Sequence, residues 1–362
     1  MKYLFSICLC VLLSASVSAR RCLVVEKGSV ASLLETIKKA NDMNAAEDSK
    51  RLFIIIPDGY YDLGKTVLTQ ITGNNIAIVG QSVDGTIIRN QPDFANEGIS
   101  KTGIFQNRGK GNYFEDITLR NDLDYYACGS AGRAVTLHDK GTQTICNRVR
   151  MLSFQDTYYS DNELAQHYME NTEIHGTVDF ICGAGDVWFE RCKIVTEKRT
   201  LSGKGRNVIA APRTSKTQWG YVFNNCVIDN IVSTFEYARG WHTLPRCAWL
   251  NTTLMHPELL SKTRYDHHGM RTVMSVFKEY HTMDASGNDI TPKSNVVTLT
   301  LQQKRTEGDK EITVDQSRAT ETILNDTQAG WYTTDAVFTE WNPICLKKKL
   351  ERQAKKLKKR YL

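Results

Sequence analysis

Asp156 and Asp179 are the residues whose type and spacing first point to chemistry. They lie 23 residues apart, Gln155 precedes the first of them, and Arg133 lies 22 residues before Gln155. If the chain repeats with a coil of about that length, these residues stand side by side on one face. Strands of successive coils stack about 4.8 Å apart. Two carboxylates at that separation do not both ionise easily. One then holds a proton and serves as a general acid. The other, paired with a cation, stays ionised and serves as a nucleophile. Spacing alone leaves open two unrelated turn aspartates, because Asp is common in turns.

The elements that must position this pair show a repeat. Six-residue segments align as FEDITL from Phe114, CNRVRM from Cys146, MENTEI from Met169, FERCKI from Phe189, FNNCVI from Phe223 and WLNTTL from Trp249. The first position is an aromatic, Met or Cys, and the sixth is Ile, Leu or Met. The fourth is small or β-branched. Successive starts are 32, 23, 20, 34 and 26 residues apart. The shorter intervals match one coil of a solenoid, and the longer ones match a coil carrying a loop. Strands that recur without helical segments between them predict a parallel β-helix rather than βαβ units, with a β-sandwich as the alternative. In a β-helix Cys192 and Cys226 become neighbours in an internal ladder.

Other segments read more simply. Residues 29–42 form an amphipathic pattern, with Ser29 as the cap and Leu33, Leu34 and Ile37 on one face. A strand follows at Leu52–Ile56. Residues 295–302 read as one strand, residues 303–318 as a charged mobile stretch, and residues 319–343 as a C-terminal cap.

Composition sets the class. Of 362 residues, 41% are hydrophobic and 24% charged, which excludes a largely disordered chain. Residues 1–19 read as a secretory signal: Lys2, an apolar run from Leu4 to Leu13, then Val17-Ser18-Ala19. An exported protein, extracellular or periplasmic, is therefore expected. No later stretch is long and apolar enough to predict an integral membrane segment. Eight cysteines follow the signal, and the sequence leaves disulfides and buried thiols equally open. The eight histidines show no metal-ligand spacing, and His267-His268 reads as a solvated loop. The net charge of +6 is unevenly distributed. The segment 347–362 holds nine Lys/Arg and one Glu, or +8, and Lys2 adds +1, which leaves the body at −3. Residues 346–362 are expected to be a basic, solvated helix. Its apolar stripe of Leu346, Leu350, Leu357 and Tyr361 can dock on the body.

The motifs carry a resemblance. Gln155-Asp156-Thr157 and the stretch GTVDFICG from Gly176 to Gly183 are similar to the two central motifs of pectin methylesterases (pectinesterases). GRAVTL from Gly132 resembles a motif that usually begins with Gln, and YARGW from Tyr237 resembles the motif carrying the family's Arg and Trp. GYYD from Gly59 resembles an N-terminal turn motif, with Asp62 where Glu is usual. Order and spacing agree from about residue 27 to residue 343.

The resemblance implies an all-β fold, a single-stranded right-handed parallel β-helix with a short N-terminal helix and a C-terminal capping segment. The catalytic domain would span residues 20–345. It implies Asp179 as nucleophile on a methyl-esterified galacturonate, Asp156 as general acid and base, Gln155 as oxyanion donor and Arg239 as the partner of Asp179. Arg133, Trp241, Tyr158 and Phe180 are the expected substrate-binding residues, although Tyr158 and Phe180 also suit the core. Arg133 stands where the family has a second oxyanion Gln. The implied substrate is pectin, with no metal or organic cofactor and no nucleic acid, and the implied state is a monomer. A catalytically impaired pectin-binding protein, or an esterase for an unusual or branched pectin, is the alternative.

Overall fold

The structure is a computed structural model and describes residues 21–93, 98–128, 132–230, 233–242, 244–267 and 270–362. The expected signal at residues 1–19, and His268, lie outside the described residues.

The sequence repeat appears as strand register. Phe114 pairs with Cys146, Cys146 with Met169, Met169 with Phe189, Phe189 with Phe223 and Phe223 with Trp249. At the sixth position Leu119, Met151, Ile174, Ile194, Ile228 and Leu254 follow the same order. All these pairings are parallel, so each repeat is one coil of a β-helix. The third position of every repeat has positive φ: Asp116, Arg148, Asn171, Arg191, Asn225 and Asn251 lie between 50° and 54°. This left-handed residue bends each coil from one sheet face to the next.

A third face closes the coil. Its strands run Thr69–Ile71, Phe105–Asn107, Leu137–Asp139, Tyr158–Ser160, Val178–Gly183, Arg206–Pro212 and Thr234–Ala238. Side chains pointing inward form a continuous core, in which the rings of Phe189, Phe223 and Trp249 stack at 4.4 and 3.8 Å. The buried thiols of Cys192 and Cys226 lie in this ladder at adjacent coils, and both are unbridged, as are Cys146, Cys182 and Cys247. Burial pushes the thiols of Cys146, Cys182, Cys192 and Cys247 well up. The N-terminal helix, Val30–Met43, buries Leu33, Ile37 and Ala40, and the Ser29 side chain accepts from the amide of Ser32.

The C-terminal segment departs from expectation in two places. Residues 303–318, expected as a charged mobile stretch, belong to two long strands. Val296–Glu307 and Lys310–Glu321 form an antiparallel hairpin about a two-residue Gly308-Asp309 turn, with φ of 62° at Gly308. One pair of its charges meets across it, Lys304 with Glu311 at 2.6 Å. Its base is anchored by buried Val297 and Leu299. The basic helix begins at Pro343 rather than 346, capped by Asn342, and runs to Tyr361. Leu350 and Ala354 pack with Leu324, Val337 and Phe338 on the outer surface of the first sheet face, against Phe53, Ile55, Tyr113 and Tyr168. Ion pairs clasp it there: Lys347 to Glu170 at 3.0 Å, Lys358 to Asp116, and Arg148 to Glu351. No helix among the described residues is long and apolar enough to cross a membrane.

Candidate active site

The third face brings the expected residues together. Arg133 bridges to Gln155 in the next coil, and the Asp156 amide donates to Val178 O at 3.3 Å. Tyr158 pairs with Ile181, so Asp156, two residues ahead of the Tyr158–Ser160 strand, and Asp179, in the Val178–Gly183 strand, belong to adjacent coils. Both have left-handed backbones, with φ of 60° and 52°. At Asp179 the register with the following strand also shifts, between Val178 and Ile181. Both carboxylates line a cavity of about 170 Å3 together with Arg133, Gln155, Arg239 and Trp241.

Arg239 holds the second carboxylate. Its Nε donates to Asp179 Oδ1 at 2.8 Å and its Nη2 donates to Oδ2, a bidentate fork. Asp179 is 6% exposed, so this pair is largely shielded from solvent. Burial alone would lower the Arg239 pKa. The charge and hydrogen bonds of Asp179, with Asp266 and Asp156 behind them, outweigh burial and raise it. Arg239 is therefore a fixed cation against the Asp179 carboxylate. Arg133 Nε lies 3.8 Å from Asp156 Oδ2, and its side chain is 40% exposed. Cys182 Sγ lies 3.9 Å from Asp156 Oδ1. Burial, then the charges of Asp156 and Asp179, push its thiol well up. It is a neutral neighbour and not a competing nucleophile.

Two expected substrate-binding residues are elsewhere. Tyr158 and Phe180 are fully buried inside the cylinder and cannot touch a polymer in the groove. Strand alternation puts Tyr158 inside and Tyr159 outside. Phe180 instead packs over Gly176, where a Cβ would fall 2.2 Å from the Phe180 Cβ. Tyr159 lies outside the cylinder in a small buried cluster, stacked on His138 at 4.7 Å and 6.2 Å from the Trp241 ring. Sequence reading also missed a polar cluster beside it. Asp161 accepts from His138 at 3.0 Å, Lys140 at 2.7 Å and Arg213 at 2.5 Å. Burial opposes its ionisation, but these donors and Tyr159 hold its carboxyl far below the usual range. Arg213 in turn lies 5.2 Å from the Trp241 ring centre. No short motif marks these residues; only the coil register collects them.

The family model for pectinesterases matches residues 22–277. The chain belongs to the pectinesterase family. An Arabidopsis thaliana relative named probable pectinesterase/pectinesterase inhibitor 42 is 30% identical over 198 residues, which are 52% of this chain and 36% of the relative. The chain thus spans under half the length of that curated relative. Among solved structures, a pectin methylesterase in complex with a hexasaccharide aligns with a TM-score of 0.66 at 21% identity, covering 89% of this chain and 98% of the other. A pectin methylesterase from Erwinia chrysanthemi aligns with a TM-score of 0.65, the same identity and the same coverage. These likenesses carry the parallel β-helix fold of the pectinesterase family through nearly the whole described chain, including the coils that hold Asp156 and Asp179.

Proposed function

We propose that this chain hydrolyses methyl esters of galacturonate residues in pectin, releasing methanol and leaving pectate. The observation that carries this reading is Asp179, gripped bidentately by Arg239, beside Asp156 in one groove. Asp179 attacks the C6 carbonyl carbon, the carbonyl π pair moves to oxygen, and a tetrahedral oxyanion forms. The Gln155 side-chain amide, and the Arg133 guanidinium at the groove mouth, are the donors available to that oxyanion. Collapse breaks the bond to methoxide, and Asp156 supplies the proton that makes it methanol. Asp156, now a carboxylate, takes a proton from water, and the hydroxide formed attacks the acyl-enzyme. The second collapse frees Asp179 as a carboxylate and leaves the substrate as a carboxylic acid, which loses its proton to solvent; Asp156 already holds the proton it took from water.

Trp241, which lines the cavity, offers a flat face for a sugar ring. The partner in this reading is partly methyl-esterified polygalacturonate, met outside the cell by an exported monomer. The hexasaccharide bound to the solved relative supports an oligosaccharide-length groove here.

A second reading has one observation in its favour. Arg133, 3.8 Å from Asp156, favours the ionised form of the residue that must deliver a proton. In that reading the chain binds pectin without turning it over. Methanol release from methylated polygalacturonate separates the two. Release at catalytic rates supports the esterase, and binding without release supports the second reading.

A further inference from the structure

A larger cavity, about 370 Å3, opens between the first coils and the last turns of the basic helix. It lies within the size range of small-molecule sites, roughly 300–1,000 Å3. It shares no lining residue with the cavity around Asp179. Among the described residues its walls carry four cations, Arg21 and Arg51 from the body and Lys356 and Arg360 from the helix, and no carboxylate. The helix cations that face the body elsewhere are neutralised, Lys347 by Glu170 and Lys358 by Asp116. Here the arginines donate to neutral groups instead. Arg21 Nη2 reaches Asn44 Oδ1 at 2.6 Å, and Arg51 reaches Gly111 O at 2.6 Å and Asn75 Oδ1 at 3.2 Å. Burial lowers the Arg51 pKa to about 10, with only Tyr113 opposing it.

Like charges gathered in a partly enclosed site raise the free energy of the empty cavity, and an anion relieves it. The C-terminal end of a helix carries only about half a negative charge, which four full positive charges outweigh. The remaining lining indicates what kind of anion fits. Phe53 and Tyr361 present aromatic surface, and Arg360 lies 5.4 Å from the Tyr361 ring centre. Aromatic surface beside cations suits a sugar acid, whose ring has an apolar face and whose carboxylate is charged. A bare phosphate would leave that surface unused.

We propose that this cavity is a second binding site, for de-esterified polyuronate, separate from the catalytic groove. The choice of polyuronate rests on the esterase reading, in which each turnover creates one such carboxylate. The site then tethers the protein to the polymer stretch it has already converted.

The test is equilibrium binding of unesterified trigalacturonate to the full chain and to a Lys356→Glu, Arg360→Glu double variant. Both side chains are exposed, so the variant is expected to fold, with an unchanged circular dichroism spectrum and melting temperature. The wild type should show two binding events, one of which weakens at least tenfold in the variant and with added salt. Methanol release from a short methylated oligogalacturonate should stay within twofold. Identical isotherms for the two proteins would overturn the site. Displacement by tripolyphosphate at equal potency would overturn its assignment to a sugar acid. Absence of methanol release from the wild type would sink the esterase reading alone, because the isotherms still judge the cavity.

Discussion

Asp156, two residues ahead of the Tyr158–Ser160 strand, and Asp179, in the adjacent Val178–Gly183 strand, lie on neighbouring coils of the third face, and both have left-handed backbones. For most L-residues that conformation costs about 1–2 kcal/mol, and Asp and Asn tolerate it best. Asn substitutions therefore keep the backbone while removing the charge. Asp179→Asn is expected to lower kcat by 10³-fold or more, as loss of a nucleophile does. Asp156→Asn is expected to cost about 10²- to 10⁴-fold, the range for one general acid–base group. Both variants should melt within a few degrees of wild type. Methanol release measured beside thermal unfolding checks this, and an active Asp179→Asn protein would sink the mechanism.

Arg133 offers a prediction of opposite sign. Its guanidinium favours the ionised form of Asp156, whereas the acid role needs the protonated form. Arg133→Gln removes the cation and retains a donor for the oxyanion. The alkaline limb of the kcat–pH profile should move to higher pH, and kcat near pH 8 should rise several-fold. An unmoved limb with a higher KM would show instead that Arg133 acts by holding a substrate carboxylate.

Gly183 closes the second central motif, and its position explains why Gly stands there. Its φ is 119°, and a Cβ would lie 1.9 Å from the Ser160 carbonyl oxygen. Backbone cannot yield as a side-chain tip can. Gly183→Ala should therefore destabilise by on the order of 3 kcal/mol or more. The urea midpoint reads this directly, and a loss below 1 kcal/mol would mean the strands separate without cost.

How far the sequence carried depended on which interaction set each feature. Coil register was legible because Phe189, Phe223 and Trp249 stack at equivalent positions, and stacking demands similar side chains. The pairing of Asp156 with Asp179 followed from that register. The facing of Tyr158 and Phe180 did not. Alternation gives two phases, and here the left-handed residues at 156 and 179 and the shifted register beside Phe180 select the phase. Periodicity carries no trace of that choice. The Asp161 cluster stayed hidden because its members come from several coils. The hairpin stayed hidden because its charged outer strands read in one dimension as a solvated run, while the apolar residues that anchor it, Val297 and Leu299, lie only at its base.

Glu236 lies in the strand that leads to Arg239, so its ionisation bears on the site's support. It is fully buried, receives Arg206 Nη1 at 2.9 Å, and has one carboxylate oxygen without a partner. Burial, then the charge of Asp266, push its pKa up to about 7, against the pull of Arg206. A raised carboxyl pKa means the folded state holds its proton more tightly than the unfolded state does. Between pH 4.5 and about 7 the unfolded chain has released a proton that the folded chain keeps, so stability falls as pH rises through that window. The contribution is complete below the unfolded value and gone above the folded one. A shift of this size corresponds to roughly 3 kcal/mol as an upper bound. Glu236→Gln has no proton to lose. Its melting temperature relative to wild type should therefore climb between pH 4 and pH 8, by several degrees. Parallel melting curves for the two proteins across that range would show that Glu236 ionises without cost.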